Sequence, residues 1–227
     1  MDYSWDFGAV WRNRDALLAG LWVTAQLTFF SVGGGTLAGV LLLFARRSKI
    51  APLRWLAMAL IEIFRDLPVL VAIIWMYYCL PILLGDQFLH FTAFAVAAIG
   101  LGANFGALQA EIFRAGLEAI PAGEIAAARG LNLRRRHILL HIVVPQTFWR
   151  SLAPTLGQIV NTIKLTALAS FVFVPDLYYQ TVQLITVTLR PLELYTAMAF
   201  CYLLIIVPLS LITQRMERQL SGRFRSA

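Results

Sequence analysis

The chain has 227 residues, is 59% hydrophobic and only 14% charged, with a formal net charge of +7 and a mean hydropathy of +0.73. Soluble domains run near about 25% charged, so the composition excludes an ordinary soluble enzyme and indicates one polytopic membrane domain. The basic excess is no nucleic-acid footprint, because Lys and Arg gather on one side of the predicted spans.

The first segment, MDYSWDFGAVWRNRD, is polar, aromatic and acidic, and does not read as a cleavable signal peptide. Five apolar spans follow, at Ala16–Phe44, Trp55–Leu84, Phe91–Leu117, Leu152–Val174 and Leu194–Thr213. Each has at least the ~20 residues a helix needs to cross the hydrocarbon. Arg46, Arg47, Lys49 and Arg54 follow the first span. Arg129, Arg134, Arg135, Arg136 and Arg150 lie between the third and fourth, and Arg215, Arg218, Arg223 and Arg225 near the C-terminus. The other side holds only Arg12, Arg14 and Arg190, with Asp2, Asp6, Asp15, Asp86, Asp176 and Glu193. The positive-inside rule then predicts an external segment 1–15, a transmembrane domain 16–217, a cytoplasmic insert 120–146 within it, and a cytoplasmic tail 218–227.

Within the first span Gly35 and Gly39 form a G-x-x-x-G pair, and within the third Gly102 and Gly106 form another. Such pairs let helix backbones approach closely in lipid. Packing within the chain is the plainer reading, a dimer face the sharper one. The second span carries Glu62, Arg65, Asp66 and Pro68. The three charges share a helix face, Pro68 predicts a break, and a Glu62–Arg65 ion pair would brace it. A gate is the alternative. In the third span Glu111 and Arg114 are spaced to pair. The fourth span holds Gln158, Asn161, Thr162, Lys164 and Thr166, a polar stripe on an otherwise apolar helix. Lys164 has no acidic neighbour within a turn, and an intramembrane lysine of that kind is a functional candidate. Helix–helix adhesion is the plainer role for the Gln, Asn and Thr residues.

Catalytic motifs are missing: the sequence has no G-x-x-x-x-G-K-S/T, no H-E-x-x-H, and no His near Ser31 or Ser170. Cys79 and Cys201 lie in apolar segments, and three scattered His give no metal-ligand spacing, so no metal site is expected.

The insert Ile120–Gln146 is the most organised polar stretch. Pro121 starts a short helix, with Glu124 in its first turn, where a negative charge suits the helix dipole. Ala126, Ala127 and Ala128 form helix with little bulk, and Asn132 is placed to end it. A second, basic helix is expected at about Leu133–Val143, with Pro145 separating it from the fourth span. A basic surface hairpin would account for these features as well.

The insert resembles the coupling loop of ABC-importer permeases, E-A-A, three residues, G, nine residues, I-x-L-P. Here Ala126 replaces the acid, Ala127 and Ala128 are the alanines, Asn132 replaces the glycine, and Ile142, Val143, Val144 and Pro145 close the motif. GLWVTAQLTFFSV, IFRDLPVLVAIIWMYYCLP, ALQAEIFRAGLEAIPAGE and IKLTALAS are similar in order to segments of the polar amino-acid branch, with Leu165 where that branch has Asp. The resemblance implies an all-α type I ABC-importer permease of about five transmembrane helices, N-terminus outside, in the bacterial inner membrane. It implies ATPase coupling through Gly123, Glu124, Ala126, Ala127, Ala128, Arg129 and Asn132, with Glu124 as a substitute for the missing acid. Gln158, Asn161, Lys164 and Thr166 become the substrate pathway, and Glu62, Arg65, Asp66 and Pro68 a helix break or gate. The implied partners are a second permease, identical or not, a cytoplasmic ABC ATPase dimer, a periplasmic or lipid-anchored binding protein, an amino acid and membrane lipid. No cofactor is expected on this chain, since ATP and Mg belong to the ATPase. Lys164 together with Leu165 favours glutamate, aspartate or glutamine over cationic amino acids. The rival readings are an importer of another small polar solute, a channel outside the ABC class, or a membrane scaffold.

Overall fold

The computed structural model describes residues 4–85 and 91–225, with side chains to residue 220. Asp2, Asp86 and the side chains of Arg223 and Arg225, which entered the charge comparison, lie outside that description. All regular structure among the described residues is helical: α1 Gly8–Arg12, α2 Arg14–Arg46, α3 Ala51–Asp66, α4 Val69–Leu84, α5 Ala93–Glu118, α6 Ala122–Gly130, α7 Arg135–Val172, α8 Leu177–Thr188 and α9 Pro191–Arg225. Helices α2, α5 and α9 are each long and apolar enough to cross a membrane alone. The pairs α3/α4 and α7/α8 pass the same test only together, bent by 110° and 52°.

The expected second span, Trp55–Leu84, is therefore two helical arms bent at Pro68 rather than one straight helix. Pro68 has no N–H, so the carbonyl of Phe64, four residues earlier, loses its helical partner. Asn104 of α5 supplies one: its Nδ2 donates to Phe64 O at 2.8 Å. The break is local in origin and held in place from a distant helix.

The fourth span also differs from expectation. Pro145 does not interrupt the helical run, which continues from Arg135 to Val172 with changes of turn geometry. A π-turn at Leu139–Val143 precedes the proline, with Val144 N–H reaching back to Leu139 O. Pro81 in α4 follows the same device, a π-turn at Trp75–Cys79 closed by Leu80 N–H on Trp75 O. In a regular turn the proline ring would press on the carbonyl four residues back; the wider turn makes room for it. The last stretch of α7, Thr166–Val172, tightens to 3-10 geometry and ends at Phe173 with φ +63°. The helix of the fifth expected span, α9, begins at Pro191 and continues beyond the expected Thr213.

Helices α2 and α5 meet along the two glycine pairs. A Cβ on Gly35 would sit 2.7 Å from Gly102 O, and one on Gly106 would sit 2.9 Å from Gly35 O. Packing within the chain is thus what these pairs do here. A buried cluster of Leu27, Ile73, Leu101, Ala169 and Val172 then ties α2, α4, α5 and the end of α7 together. A smaller one, Leu17, Leu177 and Leu194, joins α2, α8 and α9. Asp176 caps α8 through Tyr179 N–H at 2.9 Å, and Thr24 Oγ1 of α2 accepts from Leu177 N–H at 3.2 Å.

Candidate coupling helix and translocation face

Helix α6 starts after Pro121, which is extended at φ −58°, ψ 127°, and holds Glu124 in its first turn. Its end is a Schellman closure. Leu133 N–H donates to Ala128 O at 3.2 Å and Asn132 N–H to Arg129 O at 2.9 Å, with Asn132 at φ +56°. The consensus glycine of the loop therefore falls on a left-handed residue, which asparagine tolerates better than most. Ala128 is buried, while Gly123, Ala126, Ala127 and Arg129 are exposed. Cβ atoms built on Gly123 and Gly130 meet nothing within 4 Å. The helix rests on Ala128 and turns a flat, small-residue face outward.

Glu124 is not free to reach outward unpartnered. Gln146 Nε2 donates to its Oε2 across 22 residues. Gln146 Oε1 in turn accepts from Arg150 Nη2 at 3.5 Å.

On α7, Gly157, Asn161 and Lys164 are exposed, and their spacing of four and three residues puts them on one face. Nothing lies within 4 Å of a Cβ built on Gly157. Ala153, Val160 and Ile163 along the same helix are buried. The expected stripe is thus divided. Asn161 and Lys164 face outward and Gln158 is half-buried. Thr162 and Thr166 turn inward, donating to Gln158 O at 2.9 Å and Ile163 O at 2.7 Å. Lys164 has no ion-pair partner among the described residues.

The α3/α4 corner does not contain the expected Glu62–Arg65 pair. Arg65 Nε binds Asp66 Oδ1 at 3.0 Å, and Glu62 is exposed. Asp66 is the last residue of α3, where the chain leaves the helix and its carboxylate can lie beside Arg65. An exposed pair of this kind contributes little, so Asn104 is the more effective brace. At the end of α5 the expected Glu111–Arg114 pair is present, with Arg114 Nε on Glu111 Oε2 at 2.8 Å. Arg46 of α2 also donates to Glu111, and Arg114 Nη1 reaches Glu118 at 2.5 Å.

Sequence reasoning missed Asn104, Gln146 and Arg46 as partners because their contacts are 40, 22 and 65 residues away. For Asn104 the local hint was polarity inside an apolar run. Among the described residues no group of three or more His, Cys, Asp and Glu is placed to hold a metal ion.

Residues 32–226 match the family model described as binding-protein-dependent transport system inner membrane component. The chain is 31% identical over 215 residues to the glutamine transport system permease protein GlnP of Escherichia coli, covering 95% of this chain and 97% of that one. It is 27% identical over 218 residues to the arginine transport system permease protein ArtQ of Bacillus subtilis, covering 96% and 98%. Among solved structures it is similar to an amino acid ABC transporter determined with histidines, with a TM-score of 0.87 and 28% identity, covering 96% of this chain and all of that one.

Proposed function

The chain belongs to the family of binding-protein-dependent transport system inner membrane components, and from that premise we propose that it is the permease of an ATP-driven importer for a polar amino acid, coupled through α6. It is a transporter component rather than an enzyme. The observation that carries the reading is the continuous helical run of α7. At one end it follows a helix with the small exposed residues Ala126 and Ala127; further along it presents the open face Gly157, Asn161 and Lys164.

The parts act in sequence. Gly123, Ala126, Ala127 and Arg129 form the face on which a cytoplasmic ATPase dimer docks, and small side chains let its groove close on the helix. ATP and Mg stay on that partner. Closure of the ATPases pushes α6, and α7, which follows it in the chain, carries the push toward its polar face. A second permease, identical or related, faces the polar side of α7, so that the path runs between subunits. A periplasmic or lipid-anchored binding protein delivers the amino acid from the side of the N-terminus. The positive-inside charge pattern supports an external N-terminus, a cytoplasmic C-terminus and residence in a bacterial inner membrane.

For substrate, Lys164 offers a cation to a carboxylate, and an apolar residue, Leu165, follows it. This supports glutamine, glutamate or aspartate over cationic amino acids. The named relatives transport glutamine in one case and arginine in another, so family alone does not decide between them. The test is ATP-driven uptake of radiolabelled glutamine, glutamate and arginine into proteoliposomes holding the full complex. Uptake of glutamine or glutamate ahead of arginine is expected; faster or tighter uptake of arginine would overturn the substrate assignment.

A further inference from the structure

Between the face of α6 and the polar face of α7 lie two compliant joints. One is the left-handed turn at Asn132, the other the π-turn Leu139–Val143. Either would absorb part of a push delivered to α6, because neither is regular α-helix. The contact of Glu124 with Gln146 spans both. It runs from the first turn of α6 to the α-helical part of α7 just beyond Pro145. Gln146 is itself held from the other side by Arg150 at 3.5 Å, which fixes its amide with the nitrogen toward Glu124 and the oxygen toward Arg150. From Gln146 to Lys164 the remaining rod is about 27 Å long at 1.5 Å per residue.

We infer that Glu124 and Gln146 are positioning residues forming a strut that closes a triangle over the two joints, so that movement of α6 reaches the polar face of α7. Glu124 then acts inside the permease and not as the acidic contact to the ATPase. The inference rests on the coupling role proposed for α6. The bond is exposed, so its contribution to stability is small; its value is geometric, and its loss is expressed in coupling rather than in folding.

The experiment compares Glu124→Ala, Glu124→Gln, Gln146→Leu and the double variant Glu124→Ala/Gln146→Leu in the full complex in proteoliposomes. The readouts are ATPase co-purification, ATP hydrolysis, and uptake per ATP hydrolysed, using whichever of glutamine, glutamate and arginine the unaltered complex imports fastest. Expected are ATPase retention and hydrolysis within twofold of the unaltered complex for every variant, and a fall of fivefold or more in uptake per ATP for Glu124→Ala and Gln146→Leu. Glu124→Gln, whose amide can still accept from Gln146, should retain more than Glu124→Ala, and the double variant should be no worse than either single one. Loss of the ATPase on Glu124→Ala but not on Gln146→Leu would overturn the strut in favour of a direct contact. Unchanged uptake per ATP in both single variants would also overturn it. Ala127→Asp separates the two levels: if that change leaves the ATPase bound, the docking role of α6 fails, whatever Glu124 does.

Discussion

Glycines in two regions of this molecule have opposite surroundings. Along the α2/α5 seam a side chain on Gly35, Gly39 or Gly106 would lie within 3.0 Å of the neighbouring helix, whereas Gly157 on α7 has open space around it. The seam is a place where backbones touch; the α7 face is a place left uncovered. The rest of each region agrees. Beside the seam Phe105 and Leu27 are fully buried, while the α7 face shows Asn161 and Lys164. A membrane protein leaves a lysine and an asparagine uncovered on a helix only where a partner, water or substrate meets them. The difference teaches that small residues serve static packing in one half of the permease and access in the other.

The sharpest way to break the comparison is to fill both sites alike. Gly106→Leu places a bulky chain against the Gly35 backbone and should abolish recovery of folded protein. Gly157→Leu should leave folding intact and cut transport at least tenfold. Size-exclusion profiles in detergent and proteoliposome uptake read the two outcomes. Equal tolerance at both positions would remove the distinction.

Next in size is Lys164→Ala. With no ion-pair partner among the described residues, Lys164 has little to lose structurally, so thermal stability should stay within a degree or two. Substrate uptake should fall tenfold or more, chiefly as a higher KM. A large drop in stability with unchanged KM would mark Lys164 as a structural residue instead.

Asn104→Leu tests the packed half from its polar side. It removes the donor that Phe64 O has in this half-buried corner, at a cost of about 1 kcal/mol. The loss is measurable as a lower unfolding midpoint in detergent, and Gly157→Leu should show no such loss. The smallest effect is at Asn132. Asn132→Gly suits φ +56° and should be neutral or slightly stabilising, whereas Asn132→Val should destabilise by about 1–2 kcal/mol. Hydrogen exchange of the amides of Asn132 and Leu133 reads both.

Local chemistry made much of this legible in advance. Proline at 68 announced a break, asparagine at 132 announced a helix end, and the two glycine pairs announced close approach. What escaped depended on contacts distant in sequence or on geometry that overrides a local rule. The α3 break is held by Asn104 of another helix. Pro145, which by its own preference ends a helix, is absorbed by a π-turn. Arg65 prefers Asp66 because the helix ends there, a detail that i,i+3 spacing does not contain. Glu124 looked available for a partner protein because Gln146 lies 22 residues on. The polar stripe of α7 was visible as composition, but only the packing of Val160 and Ile163 decides that Asn161 and Lys164 look outward while Thr162 and Thr166 look in.

The central claim is that α6 is the surface through which an ATPase drives this permease. Its most direct test is purification of the complex carrying Ala127→Asp, which sets a charge into the flat face of α6 far from the packed seam. The account predicts a folded permease that no longer retains the ATPase and shows no ATP-driven uptake. Full retention of the ATPase together with unimpaired uptake would contradict it.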